Sequence, residues 1–574
     1  MEERPMRFAR VRVVALALLV LAANGEASEL GFVYVRANVG GGSGGHAALV
    51  SGQSVYHMQN GADGLLHLTR DRWAHFRYLY ADLQNRPLQI ARVEVSPEAQ
   101  ERVLARFSRL YVEQEVALAK RDEAREDVAW LEADRDGRAF PELRGAGLLA
   151  PELANDPHAA RLRGSLGAAP DAVRLADALA EADRAIAQAS ATRLRELRDA
   201  LLLREALRGL ESAWGLSDRA LVRTPFRYDE PLSATERDAL AALSSEIERT
   251  IASLLRSTRA DRGSAILLAQ ARYLAVHRSL DENRLVLLDP FEGDPIGPQD
   301  ALEMSADGHA QALRYAASVA RRIRTGVLAG VQPDEPSYNR LEQAGAVLER
   351  VANARELGAL IDLGRRRLPS RGRSVAGPAL AGDVDGALDA ARARLAQHER
   401  ELRERYAYDL FSRNCITELA RNAEDALTGK VTPEETFTFI PFVFFDRVRE
   451  RTPVVRVEDI PSHRAQELAR LEREQPGVWT RLRESTALGS AIYTPRRQDG
   501  AFLLFTDDVF WRRPLYGAVN LAYAAGYTAY GVAAAPCDFG ARAKAGLSGM
   551  FWSVPELVFE NVRKGSFEWV TTEE

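Results

Sequence analysis

The sequence predicts an α+β protein: a small antiparallel sheet near the N-terminus, a cysteine-bearing helix far downstream, and a large all-helical insertion between them. Three observations point there. Residues 28–96 contain short alternating runs, residues 97–405 keep a helical apolar period, and residues 406–500 return to mixed patterning around "YDLFSRNCITEL".

Composition narrows the class. The chain has 574 residues, 46% hydrophobic and 27% charged, enough to bury more than one core. A formal net charge of -5 supplies no basic surface, so no nucleic-acid partner is expected. At the N-terminus, Arg4, Arg7, Arg10 and Arg12 precede the apolar run Val13–Ala23, and Gly25 and Ala27 follow. This reads as an export signal over residues 1–27, cleaved after Ala27, which implies a periplasmic location and an oxidising compartment. The two cysteines, Cys415 and Cys537, then have two expected states: a disulfide or free thiols.

Taken in order, "LGFVYVRA", "HAALV", "SVYHMQ" and "LQIARVEV" read as strands, with a short helix near "TRDRWAHFRYLYADL" before the last. Ser96-Pro97-Glu98 opens a helix with a capping residue, a proline at the first turn and an early acid. From there to residue 405 the Ala-, Leu-, Arg- and Glu-rich pattern predicts antiparallel helical hairpins, broken at "DPFEGDPIGPQD" and "LPSRGRSVAGPALAGD". The aromatic run "TFTFIPFVFF" reads as a buried strand or as shelter for an acyl chain from Phe437, Phe439, Phe442, Phe444 and Phe445. Within the C-terminal region, 501–574, the uncharged stretch 514–536 follows Arg512 and Arg513. It is about long enough to cross a bilayer but weakly hydrophobic, so a buried helical hairpin and a membrane-contacting segment are both open.

The hairpin "HAALVSGQSVYHM" carries the first candidate chemistry. A two-residue turn at Ser51-Gly52 would set His46 directly opposite His57, both imidazoles on one face. Paired imidazoles suit metal ligation or a base held by a second polar group. No third ligand at a metal spacing is apparent, so neither a metal nor a cofactor is called for. The preceding Gly41-Gly42-Ser43-Gly44-Gly45 fits G-x-S-x-G in form, but a strand follows it where a nucleophile elbow needs a helix. A glycine loop lining a cleft beside His46 fits better.

"SRNCITELARNAEDAL" supplies the second. Asn414 reads as a helix cap and Cys415 as the first helical residue, with Ile416, Leu419, Ala420, Ala423 and Leu427 as the apolar stripe. That position predicts a thiol pKa lowered by the helix dipole, and backbone N–H groups able to receive an oxyanion.

"GHAALV…VYHM" followed much later by "NCITEL" resembles the circularly permuted papain-like thiol enzymes, including the lecithin:retinol acyltransferase-like group. It is more similar to the periplasmic domain of Lnb-type lipoprotein N-acyltransferases. The tail "SVPELVFENVRKGSF" is similar to bacterial envelope proteins of that kind. The resemblance implies a permuted papain-like core, Cys415 as nucleophile, His46 as base and His57 as the group orienting its ring. Tyr408 and Asn414 enter as oxyanion or supporting residues. The implied partners are a lipid acyl chain or a lipoprotein substrate, with contact to a membrane. The roughly three hundred residues between histidine and cysteine depart from that pattern.

Three functions remain open on the sequence: an envelope acyltransferase working through an acyl-cysteine, a peptidoglycan amidase or peptidase with the same Cys–His pair, and a non-catalytic scaffold in which Cys415 and Cys537 are joined.

Overall fold

The computed structural model describes residues 28–36, 45–61, 63–83, 86–168, 173–222, 230–291, 306–329, 333–357, 368–428, 439–492, 502–504 and 510–558. The predicted signal segment, most of the glycine loop including Ser43, and Phe437 lie outside them. The fold is α+β, and the chain divides into two compact units, residues 1–120 with 398–574, and residues 121–397. Both boundaries fall inside continuous helices, Pro97–Arg135 and Val384–Tyr406. Helical structure thus continues beyond the second compact unit at both ends, within 97–135 and 384–406.

The first unit is built on one antiparallel sheet. Its strands are β1 (Ser28–Val35), β2 (His46–Ser51), β3 (Ser54–Asn60), β4 (Leu66–Arg72), β5 (Leu88–Val95) and β6 (Val454–Ile460), in the order β6-β5-β1-β2-β3-β4. Period-two alternation splits the strands between two cores. Leu30, Phe32, Ala47, Leu49, Tyr56 and Met58 face one side. Helices α1 (Pro97–Arg135), α2 (Cys415–Thr428) and α3 (Pro441–Arg451) cover that side with Phe107, Ile416, Leu419 and Phe445. Val33, Val35, Ala48, Val50 and Val55 face the other side, against Phe76 and Tyr80 from the segment 73–83.

Two local readings change. "TRDR" continues β4 instead of opening a helix, which begins only at Trp73. "FIPFVFF" becomes helix α3, because Pro441 sits where a missing N–H costs nothing and the chain then runs helical to Arg451. The unit closes on an antiparallel helical pair, α4 (Arg513–Ala533) and α5 (Ala541–Val558). Among the described residues no helix is long and apolar enough to cross a membrane.

The second unit is helical with a few two-residue strands. Helices Leu194–Glu211, Ala234–Leu255 and Arg262–Glu282 bury Leu207, Leu240, Ile251, Ile266 and Leu274 in its largest core. A second core stacks Trp130 on Phe140 with centroids 4.6 Å apart. Arg272 is buried and forked onto Glu342, with Nε–Oε1 3.0 Å and Nη2–Oε2 2.8 Å. A lone buried guanidinium would be costly, and the bidentate carboxylate offsets that cost.

Candidate active site

The turn between β2 and β3 is Gly52-Gln53, one residue later than the sequence suggested. Gly52, with φ +55°, takes the first turn position, where primed two-residue turns favour glycine. The ladder consequently sets Ala48, not His46, opposite His57. The shift keeps the parity of the strand, so both imidazoles still share a face and meet diagonally. His46 Nε2 lies 3.1 Å from His57 Nδ1.

His57 is fully buried and also reaches β4: its Nε2 is 3.0 Å from Asp71 Oδ2. The other oxygen of Asp71 is 3.4 Å from His75 Nδ1. Burial pushes the Asp71 carboxyl up, but hydrogen bonds from His57 and His75 outweigh it and hold the group below the usual carboxylate range. An ionised carboxylate only accepts, so His57 Nε2 carries a proton. In the neutral ring Nδ1 then accepts, so His46 Nε2 donates to it. A neutral His46 is left with its lone pair on Nδ1. Burial, then His57 and the Arg86 guanidinium, depress the His46 pKa well below 6.5, which favours that neutral form.

Cys415 begins α2 as the sequence suggested. Asn414 Oδ1 accepts from the N–H of Ile416 at 2.8 Å and of Thr417 at 3.0 Å. Its Nδ2 donates to the carbonyls of Leu410 and Phe439, both at 2.8 Å. The amide is fully used, so Asn414 holds the helix start and keeps no N–H for an oxyanion. Tyr408 is partly exposed, and its N–H donates to Gly64 O at 3.0 Å. Burial, then Cys415 and Asp409, raise the pKa of its phenol.

The thiol departs from expectation. Cys415 retains some surface access, yet its apolar surroundings push its pKa up to about 11 against the helix-start N–H groups. Desolvation outweighs the helix dipole here because the thiol packs against a core while the dipole contributes only partial charges. Cys415 and Cys537 are both free, so no disulfide joins them.

Cys415 packs with one face of the sheet, whereas His46 and His57 project from the other. At the start of β2 the ladder to β3 stops at Ala48–His57. Three neighbours are shared. The backbone N–H of Ala47, next in chain to His46, acts on the Cys415 thiol and draws its pKa down against burial. Tyr80 stacks on His46 with centroids 5.4 Å apart, and its phenol lies in the field of the thiol. Arg86 acts on both Cys415 and His46. Among the described residues no hydrogen bond joins Cys415 to His46 directly.

Gly45 is the one described residue of the glycine loop. It has φ +90°, and a Cβ there would stand 2.3 Å from Val35 O and 2.6 Å from the Tyr34 ring. Only glycine fits this entry into β2.

The sequence pattern does not single out Asp71, Tyr80 and Arg86. A helix over "TRDR" would hide Asp71. As part of β4 it lies opposite Val55, on the His57 face. Among the described residues no group of three His, Cys, Asp or Glu side chains is arranged to hold a metal ion. No protein-family model, curated protein or solved structure matches this chain.

Proposed function

We propose that the chain is a cell-envelope, cysteine-dependent acyl-transfer enzyme with a permuted papain-like core, similar in chemistry to lipoprotein N-acyltransferases. The observation that carries this reading is the ordered relay from Asp71 through His57 to His46, which leaves a lone pair on the ring next in chain to Ala47, whose backbone N–H acts on the Cys415 thiol.

The raised thiol pKa makes a base necessary. His46 Nδ1 takes the proton of Cys415 as the sulfur attacks the carbonyl of an ester. The N–H groups of Cys415 and Ala47 receive the developing oxyanion, and the Arg86 charge favours it. The His46 imidazolium returns the proton to the leaving alcohol as the tetrahedral intermediate collapses to an acyl-cysteine. An amine then attacks the thioester, gives its proton to His46 and takes the acyl group, and the thiol is restored. A direct Cys–His hydrogen bond is commonly long before substrate binds and tightens during the reaction.

An acyl donor is favoured over a polar peptide by the rim of the site. Leu410 and Phe411, in the segment leading to the Cys415 helix, are exposed, and Phe411 packs edge-on to Phe439 at 5.2 Å. The test is intact-mass analysis after incubation with phospholipid. An acyl adduct on Cys415 that is released by an amine supports the reading. A Cys415 that never acquires an acyl group, with hydrolysis of peptidoglycan stem peptides instead, replaces it with the amidase.

A further inference from the structure

We infer that the α4–α5 hairpin docks the protein on a lipid bilayer surface, by its outer faces and without spanning it. This does not rest on the acyl-transfer reading.

The hairpin has an unusual surface. Helix α4 buries one narrow stripe, Arg513, Gly517, Asn520, Ala524 and Gly531. Every exposed position from 514 to 533 is Pro, Leu, Ala, Val, Gly or Tyr, with no charge among them. Leu515 is 60% and Val532 63% exposed. From Leu547 onward helix α5 is similar: Leu547, Phe551, Val554 and Val558 are exposed, while Gly549, Ser553 and Glu556 are buried. A helix apolar around most of its circumference belongs in a protein core or against lipid.

The contact between the two helices agrees with lipid. A Cβ on Gly531 would stand 2.3 Å from the N of Ala543, and one on Gly546 would stand 2.3 Å from Thr528 Oγ1. The helices meet backbone to backbone over small residues and direct their large apolar side chains outward. Water-soluble helix pairs do the reverse, because in water the large side chains are what drive association. In lipid, close backbone packing takes over that role.

A further observation favours a bilayer over a second copy of the chain: the hairpin carries aromatic and cationic side chains suited to an interface. Trp511 is 63% exposed at its base with the Arg512 guanidinium 5.2 Å over its ring, and Arg542 and Lys544 open α5. Exposed tryptophan beside cations suits the headgroup layer, and the cations complement anionic lipid.

The root of the hairpin lies near the candidate site. Buried Arg513 is close enough to Tyr34 for its charge to act on the phenol, and Tyr34 pairs with Ala47. Asn520 accepts from the N–H of Leu503 at 2.9 Å and of Leu504 at 3.0 Å, tying α4 to the preceding segment. A hairpin seated on lipid would hold the thiol near a membrane.

The test is flotation of the full chain with vesicles of phosphatidylethanolamine and phosphatidylglycerol, and with phosphatidylcholine alone. The wild type should float with both, more tightly with the anionic mixture. The variant Val532→Glu/Phe551→Glu should keep its circular dichroism and melting temperature, because both positions are exposed, and should bind at least about tenfold more weakly. No flotation with either lipid, or equal binding by the variant, overturns the inference. So does a dimer in sedimentation that the same substitutions dissolve, which would assign the faces to a second copy.

Discussion

His46 and His57 meet diagonally across neighbouring strands, Nε2 to Nδ1 at 3.1 Å, with Ala48 standing opposite His57 in the ladder. Because Asp71 accepts from the far nitrogen of His57, donation runs in one direction, from His46 to His57 to Asp71, and leaves the lone pair of His46 on Nδ1. In the proposed mechanism each member therefore has a distinct failure.

Removing the nucleophile or the base comes first. Cys415→Ala should abolish the acyl adduct, and His46→Ala should lower turnover by roughly 10²–10⁴-fold. Both variants should melt near the wild-type temperature in a thermal scan. Full activity in either would end the assignment.

His57 and Asp71 are positioning residues, and they are tested by conservative change. His57→Gln should be milder than His57→Ala, since Gln can still accept from His46 Nε2. Asp71→Asn keeps the shape but can donate to His57 Nε2, reversing the ring's tautomer. We expect a loss of roughly 10²-fold or more in kcat/KM, with a smaller effect on KM. Equal activity of Asp71→Asn and wild type would mean the relay does not set the base.

The pH profile follows from two shifts. His46 is neutral well below pH 6.5 and the thiol stays protonated up to about 11, so kcat/KM should be level across the neutral range. Stability has a sign as well. Below pH 6.5 the unfolded His46 binds a proton that the folded ring resists, so the folded state loses stability as pH falls through that value. His46→Gln should flatten this dependence between about pH 7 and pH 5 in denaturant titrations. A steep neutral-range rise in kcat/KM would contradict both assignments.

Alkylation separates the two cysteines. At about pH 8 iodoacetamide should label exposed Cys537 faster than Cys415, by on the order of 100-fold, since a thiol near 11 is scarcely ionised there. Peptide mapping by mass spectrometry gives both rates. Faster labelling of Cys415 would show that the helix N-terminus prevails over burial.

Gly45→Ala should destabilise the fold by about 1–3 kcal/mol, because its backbone is left-handed and Val35 O blocks a side chain. Chemical denaturation measures this, and an unchanged midpoint would mean the loop relaxes.

The elements that nearest neighbours encode were legible in the chain. Alternation set the faces of β1, β2, β3 and β5, and the Asn414–Cys415 helix start followed from capping chemistry within three residues. The pairing of two histidines on one face followed from strand parity, which survived a misplaced turn. Packing decided the rest. Asp71 reaches His57 only because β4 lies beside β3, and Arg86 and Tyr80 become neighbours of the thiol through the segment that covers the sheet. The sulfur packs with the core on one side of the sheet, while both imidazoles project from the other. The direction of the thiol shift was set in the same way: a helix dipole is local, whereas desolvation sums over side chains brought together from both ends of the chain.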